Sequence, residues 1–237
     1  MAKFFSFDSK TAQFFSLIWD LLLLNFLFIL GSLLVVTSGV SAIAAYSVML
    51  KIVEEREDGI ISAYISAFKS NLRQGLILTI ALLILVAAVA IDFILFENIG
   101  GNPIIFLILG FLSAGLVFVH FFYVFALAAR YRNSLFRHLT NSRDIFYRFL
   151  MRSVFCSVLV AFEVWLFFFN DWLLLFIGVF IAPILIIATI SAFAIKSFRV
   201  IEEENGAGEG TRIKSEPYES DAKGEEDDTD TGMRVTS

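Results

Sequence analysis

Two ionisable residues stand inside apolar runs, His120 and Glu163. His120 precedes Arg130 by 10 residues and Glu163 follows Arg152 by 11, so at about 1.5 Å per helical residue both lie roughly 15–17 Å from an arginine belt. An imidazole and a carboxyl meeting at one depth of a membrane are suited to proton-linked work, since histidine titrates near neutrality and burial raises a carboxyl pKa. The plain alternative is an interhelical hydrogen bond that holds two spans together. Asp20, Asn25 and Asp92 either line a polar interior or sit near enough to span ends to cap helices and reach headgroups. Thr37, Ser38 and Gly39 interrupt an apolar run. They end a helix or, in the sharper version, open a broken helix of the kind that faces substrate in transporters. Arg130, Arg132, Arg137, Arg143, Arg148 and Arg152 face a single acid, Asp144. That basic loop marks the cytoplasmic side, and it could also dock a cytoplasmic partner or anionic lipid.

Enzymatic chemistry has little to build on. The chain has no H-E-x-x-H spacing, no phosphate-cradling glycine loop and no Ser-His-acid set. One cysteine, Cys156, excludes an intramolecular disulfide and a thiolate cluster. The expectation is a non-enzymatic protein with no catalytic residues, no metal and no cofactor.

The elements that must carry these residues are set by composition. Of 237 residues 58 % are hydrophobic, 28 are Phe and only 17 % are charged, with a mean hydropathy of +0.81. That is too little polar material to coat a soluble globule. The expected class is all-α: a polytopic membrane protein with five full spans, one short helix after the first, and an amphipathic surface helix. Residues 1–16 read as an interfacial segment, 17–201 as the transmembrane domain and 202–237 as a disordered acidic tail. The full spans are expected over 17–36, 76–96, 104–129, 153–169 and 172–195, the last two joined as a tight hairpin at Asn170-Asp171, with Pro183 kinking the last. Residues 40–50 are too few to cross on their own. They suit a re-entrant half-helix, a tilted short helix or a continuation of the first span. Their small residues, Ser41, Ala42, Ala44, Ala45 and Ser47, favour burial against another helix. Residues 62–75 place Tyr64, Ile65, Phe68 and Leu72 opposite Lys69, Asn71 and Arg73, which predicts the surface helix.

Charge orients the chain. Residues 1–201 hold 14 basic and 11 acidic residues, a net of +3, while 202–237 hold 4 and 12, a net of −8. The loop 130–152 is therefore cytoplasmic and the loops 97–103 and 170–171, without Lys or Arg, lie outside. That puts 51–75 and the tail in the cytoplasm. A fold-back at Thr37-Ser38-Gly39 brings Lys3 and Lys10 to the same side, so a multi-pass protein of the cell membrane with both termini cytoplasmic is expected.

The N-terminal third resembles the YesL-like family of bacterial membrane proteins, whose biochemical role is not established. The resemblance is carried by Phe5-Ser6-Phe7-Asp8-Ser9-Lys10, by Asp20-Leu21-Leu22-Leu23-Leu24-Asn25, by Val36-Thr37-Ser38-Gly39 and by Ala44-Ala45-Tyr46-Ser47-Val48. It continues through Lys51 with the acidic turn to Gly59, and Ala67-Phe68-Lys69-Ser70-Asn71-Leu72-Arg73-Gln74. Members often carry proline where this chain has Leu34 and Val35, and an aromatic where it has Ile60. What the resemblance implies is an association with carbohydrate-uptake genes beside ABC-type sugar transporters. The expected function is a non-enzymatic accessory component of such uptake, with the lipid bilayer and an ABC permease as partners and no nucleic acid. The alternative is an independent small-solute transporter or channel.

Overall fold

A computed structural model describes residues 10–54, 59–100 and 103–206, and these are predominantly α-helical. In order, α1 is Lys10–Gly31, a single 3-10 turn covers Val35–Thr37, α2 is Ser38–Val53, α3 is Ile60–Ser70 and α4 is Leu72–Asn98. Then come α5 at Ile104–Phe121, α6 at Val124–Arg130, α7 at Leu135–Arg148, α8 at Leu150–Phe168 and α9 at Trp172–Gly206. Among the described residues six stretches are long and apolar enough to cross a membrane, Phe14–Gly31, Val35–Val53, Leu72–Asn98, Ile104–Arg130, Leu150–Phe168 and Trp172–Glu204. The fold is that of a polytopic α-helical membrane protein. The segment expected to be a short helix is thus part of a 19-residue apolar stretch.

The bundle is built around α2. Val40, Ser41, Ile43, Ala44 and Ala45 have no exposed surface, and α1, α3, α4, α6 and α9 all pack on this helix. Its small side chains allow neighbouring backbones to come close, which is how helices associate where no hydrophobic effect drives them together. By contrast α1, α4, α5 and α8 turn wide apolar faces outward, with Phe26, Ile84, Phe111 and Val158 more than half exposed. Burial of 40–50 in protein, expected from its small residues, is what the structure has.

The helix break lies earlier than Thr37, Ser38 and Gly39. α1 ends at Gly31, and Ser38 and Gly39 already belong to α2. The hydroxyls that suggested a break instead satisfy carbonyls around it: Thr37 Oγ1 donates to Gly31 O at 2.7 Å and Leu34 O at 2.8 Å, and Ser38 Oγ to Val35 O at 2.7 Å. Gly39 serves a close approach. Its backbone N–H donates to Thr79 Oγ1 at 3.0 Å, and a Cβ on Gly75 would lie 2.6 Å from Val40 Cα. The chain does fold back between α1 and α2, where Ser41 Oγ donates to Phe28 O at 2.8 Å. A turn at the far membrane face would hold Gly39 and Gly75 about 30 Å apart. Since they touch, the bend lies at the depth where α4 begins.

Other segments differ from expectation for local reasons. The span expected over 104–129 divides at Phe122-Tyr123, because the Tyr123 N–H leaves the helical ladder to donate to Ser142 Oγ at 3.1 Å. Much of the loop expected at 130–152 is the helix α7, whose buried face is His138, Asn141, Ser142, Ile145 and Phe146. The helix expected at 62–75 appears as α3 only up to Ser70, residues 72–75 opening α4 instead, and its Tyr64 is buried with its hydroxyl bonded to Ser41 Oγ at 2.7 Å. The tight hairpin between α8 and α9 is present, with Asn170 Nδ2 donating to Trp165 O and Leu166 O at 2.9 and 3.0 Å, and Pro183 sits inside an unbroken α9. Residues 10–16 belong to α1 and 202–206 to α9. The rest of the expected interfacial segment and acidic tail lies outside the described residues.

The glycine contact makes a stability prediction. Gly75→Ala should destabilise by about 1–3 kcal/mol, because the methyl meets backbone that cannot give way. Gly115 has nothing within 4 Å of its would-be Cβ, so Gly115→Ala should be neutral or slightly stabilising. Thermal unfolding of the purified protein in detergent checks both; equal melting temperatures for the two variants would contradict the close crossing.

Candidate functional site

A densely bonded charged group lies at the end of the bundle where α2, α6 and α9 terminate. Arg130, last in α6, donates from Nη1 to Glu54 Oε1 at 2.7 Å, from Nε to Glu202 Oε1 at 2.8 Å and from Nη2 to Glu202 Oε2 at 3.0 Å. The two-pronged bond to Glu202 uses the planar fork that only arginine offers. Tyr131 donates its hydroxyl to Glu202 Oε1 at 2.7 Å, and the guanidinium stacks 5.9 Å over the Phe198 ring. Arg130 and Glu54 keep only 17 % and 12 % of their side chains exposed. Burial, and then the carboxylate it faces, push the Tyr131 phenol above its ordinary value, so it stays a donor.

The remaining arginines of 130–152 take different roles. Arg143 pairs with its neighbour Asp144 at 2.7 Å and Arg148 with Glu204. Arg148 and Arg152 each stack 5.5 Å from the Phe149 ring. Arg132 and Arg137 lie on the exposed surface.

His120 and Glu163 do not meet. His120 Nδ1 bonds its own helix at Leu116 O, 2.8 Å away, whereas Glu163 Oε1 accepts from Thr189 Oγ1 at 2.6 Å across the α8–α9 interface. Their helices, α5 and α8, are not packed neighbours. Counting residues from the arginines carries no information on the angular position that decides contact. Several other intramembrane polar groups are tied locally: Asn25 Nδ2 donates to Phe180 O, Ser113 Oγ to Asp92 at 3.2 Å, and Tyr123 shares a 3.2 Å bond with Ser153, while Asn25 Oδ1, Glu163 Oε2 and Ser191 Oγ are buried without a partner. Asp20 faces an open groove of about 630 Å³ with Leu23, Ile60, Ser62 and Ile65. Among the described residues no group of three His, Cys, Asp or Glu side chains is placed to hold a metal ion.

Sequence reasoning did not single out Glu54, Glu202 or His138. Glu54 looked like the edge of a solvated charge run and Glu202 like the start of the tail. The usable signal was a helix closing on Arg130 together with two others closing on acids. His138 is fully buried and neither ring nitrogen completes a hydrogen bond to protein. Burial pushes its pKa from 6.5 down to about 4, with only the Asn133 backbone pulling upward.

Fold and site together define a multi-pass α-helical membrane protein with an ionic joint at one end of its bundle. The family described as "Protein of unknown function, DUF624" matches residues 21–93, which run from α1 through most of α4. No curated protein and no solved structure matches the chain.

Two outcomes follow from the joint and its surroundings. Lysine cannot reproduce the fork or reach both carboxylates, so Arg130→Lys should cost about 1–3 kcal/mol and Arg130→Ala about 3–5; an unchanged melting temperature for Arg130→Lys would contradict the joint. His138 holds a folded pKa below its unfolded value of 6.5, so the unfolded chain binds the extra proton. Stability is full above pH 6.5 and falls as pH drops toward 4, by at most about 3 kcal/mol. In His138→Leu that part of the acid slope should vanish from the pH dependence of thermal unfolding.

Proposed function

We propose that this is a YesL-like protein of the bacterial cell membrane that serves carbohydrate uptake as a non-enzymatic accessory component, working beside an ABC-type sugar permease. The observation that carries this is the commitment of its membrane-embedded polar groups to neighbours. Asn25, Glu163 and Asp92 each make one bond to an adjoining helix, with Asn25 Oδ1 and Glu163 Oε2 left buried without a partner, and Arg130 spends three nitrogens on internal carboxylates. Such bonds hold helices together, and the polar oxygens left over are buried rather than open to a passing solute. The matched region 21–93 also overlaps most of the residues on which the family resemblance rests, and association with sugar-uptake genes is what that resemblance implies. In this proposal the end bearing Lys51, Lys69, Arg73, Arg130, Arg148 and Arg199 faces the cytoplasm, together with the C-terminus; the bend beside Gly75 removes the far-face return on which a cytoplasmic N-terminus was expected.

The test has two arms. Purified protein reconstituted alone in vesicles should give no flux of sugars or monovalent ions above protein-free vesicles, and the tagged full chain should copurify with an ABC permease from its own membrane. Flux without a partner would replace the proposal with an independent small-solute transporter. Absence of both flux and permease would reject the uptake role.

A further inference from the structure

The corner where α7 turns into α8 combines features that nothing in the bundle itself uses. Phe149, between the two helices, carries the Arg148 guanidinium and the Arg152 guanidinium each 5.5 Å from its ring centre. Two positive groups on one ring repel each other unless an anion lies between them or beside them. Arg148 has one such anion, Glu204, but it reaches both carboxylate oxygens from Nη2 alone, which leaves Nε and Nη1 without a carboxylate. Arg152 meets no carboxylate among the described residues and is exposed. One helical turn away Arg143 is neutralised by Asp144, so the excess charge is concentrated at the corner.

The same corner is apolar on the outside. Met151 is 84 % exposed, and Tyr147, Leu150, Val154 and Phe155 are exposed beside it. α8 begins here as a span, so its apolar face continues directly from the arginines into the depth where acyl chains lie. Its first amides also point their dipole at this corner. A soluble anion would use the charges and leave Met151 and Leu150 in water. A molecule with a phosphate and two acyl chains uses both.

We propose that Arg148, Phe149 and Arg152, with Leu150 and Met151 below them, form a site for the phosphate headgroup of an anionic glycerophospholipid in the adjoining leaflet. Arg152 supplies the principal charge, Arg148 shares its unused donors, and Met151 and Leu150 lie along the acyl chains. The site rests on the membrane fold alone and is independent of any role in sugar uptake.

The experiment uses the full chain in bilayers of phosphatidylcholine containing trace spin-labelled phosphatidylglycerol or spin-labelled phosphatidylcholine, reading the fraction of label immobilised by the protein. Wild type should immobilise phosphatidylglycerol in preference to phosphatidylcholine, and Arg152→Gln should lower that preference by roughly five-fold, the effect of about one surface cation. Met151→Glu, at a position with almost no packing to lose, should lower it as well and guards against misfolding of the arginine variant. Arg137→Gln, on the exposed side of α7, should lower it much less than Arg152→Gln. Equal preference in all four proteins, no preference in wild type, or an equal loss in Arg137→Gln would overturn the proposal. So would displacement of the labelled lipid by inorganic phosphate at matched ionic strength, which would mark a free-anion site.

Discussion

Everything at one end of this molecule depends on a single guanidinium. Arg130 ties the ends of α2, α6 and α9 together at one level, because its five donors can serve Glu54 and Glu202 at once. Partial burial strengthens these bonds and also makes them obligatory. A carboxylate left alone at that level keeps the cost of leaving water without the compensation of its partner. Tyr131 and Phe198 complete the enclosure, one donating to Glu202 and the other covering the guanidinium face.

The second constraint is steric and acts where α2 and α4 begin. No side chain larger than hydrogen fits at Gly75 against Val40, and the Gly39 N–H is capped by Thr79, itself bonded back to Gly75 O at 2.8 Å. A glycine contact at the start of α2 and a charged contact at its close hold that helix at both ends. Between them lies the buried face of small residues, which is why the most enclosed helix in a membrane protein is also its least bulky.

Much of this was legible because hydropathy fixes helices one at a time. The spans around 76–96, 153–169 and 172–195 appear as α4, α8 and α9, and the amphipathic pattern at 62–75 appears as α3 up to Ser70. What was not legible depends on partners far away in the chain. Thr37-Ser38-Gly39 has the composition of a helix end, yet Gly39 is spared a side chain for the sake of residues 36 and 40 positions later. His120 and Glu163 could be assigned a depth by counting from the arginines, while the helix neighbours that separate them follow from packing no single-chain pattern records. Ser142 likewise gives no sign that its hydroxyl will divide a span at Tyr123. The basic segment was read as a loop because its charges dominated, although every third or fourth residue, His138, Asn141, Ser142 and Ile145, already marked a buried face of modest polarity.

The ionic joint also imposes an order on biogenesis. Glu54 leaves the ribosome 76 residues before Arg130, and Arg130 a further 72 before Glu202. Glu54 therefore waits for α6 and can pair with Arg130 at once, while the two-pronged side of the joint closes only when the last helix arrives. A chain halted before α9 would keep the Arg130–Glu54 bond but leave Arg130 Nε and Nη2 and the Tyr131 hydroxyl without the Glu202 oxygens that accept from them.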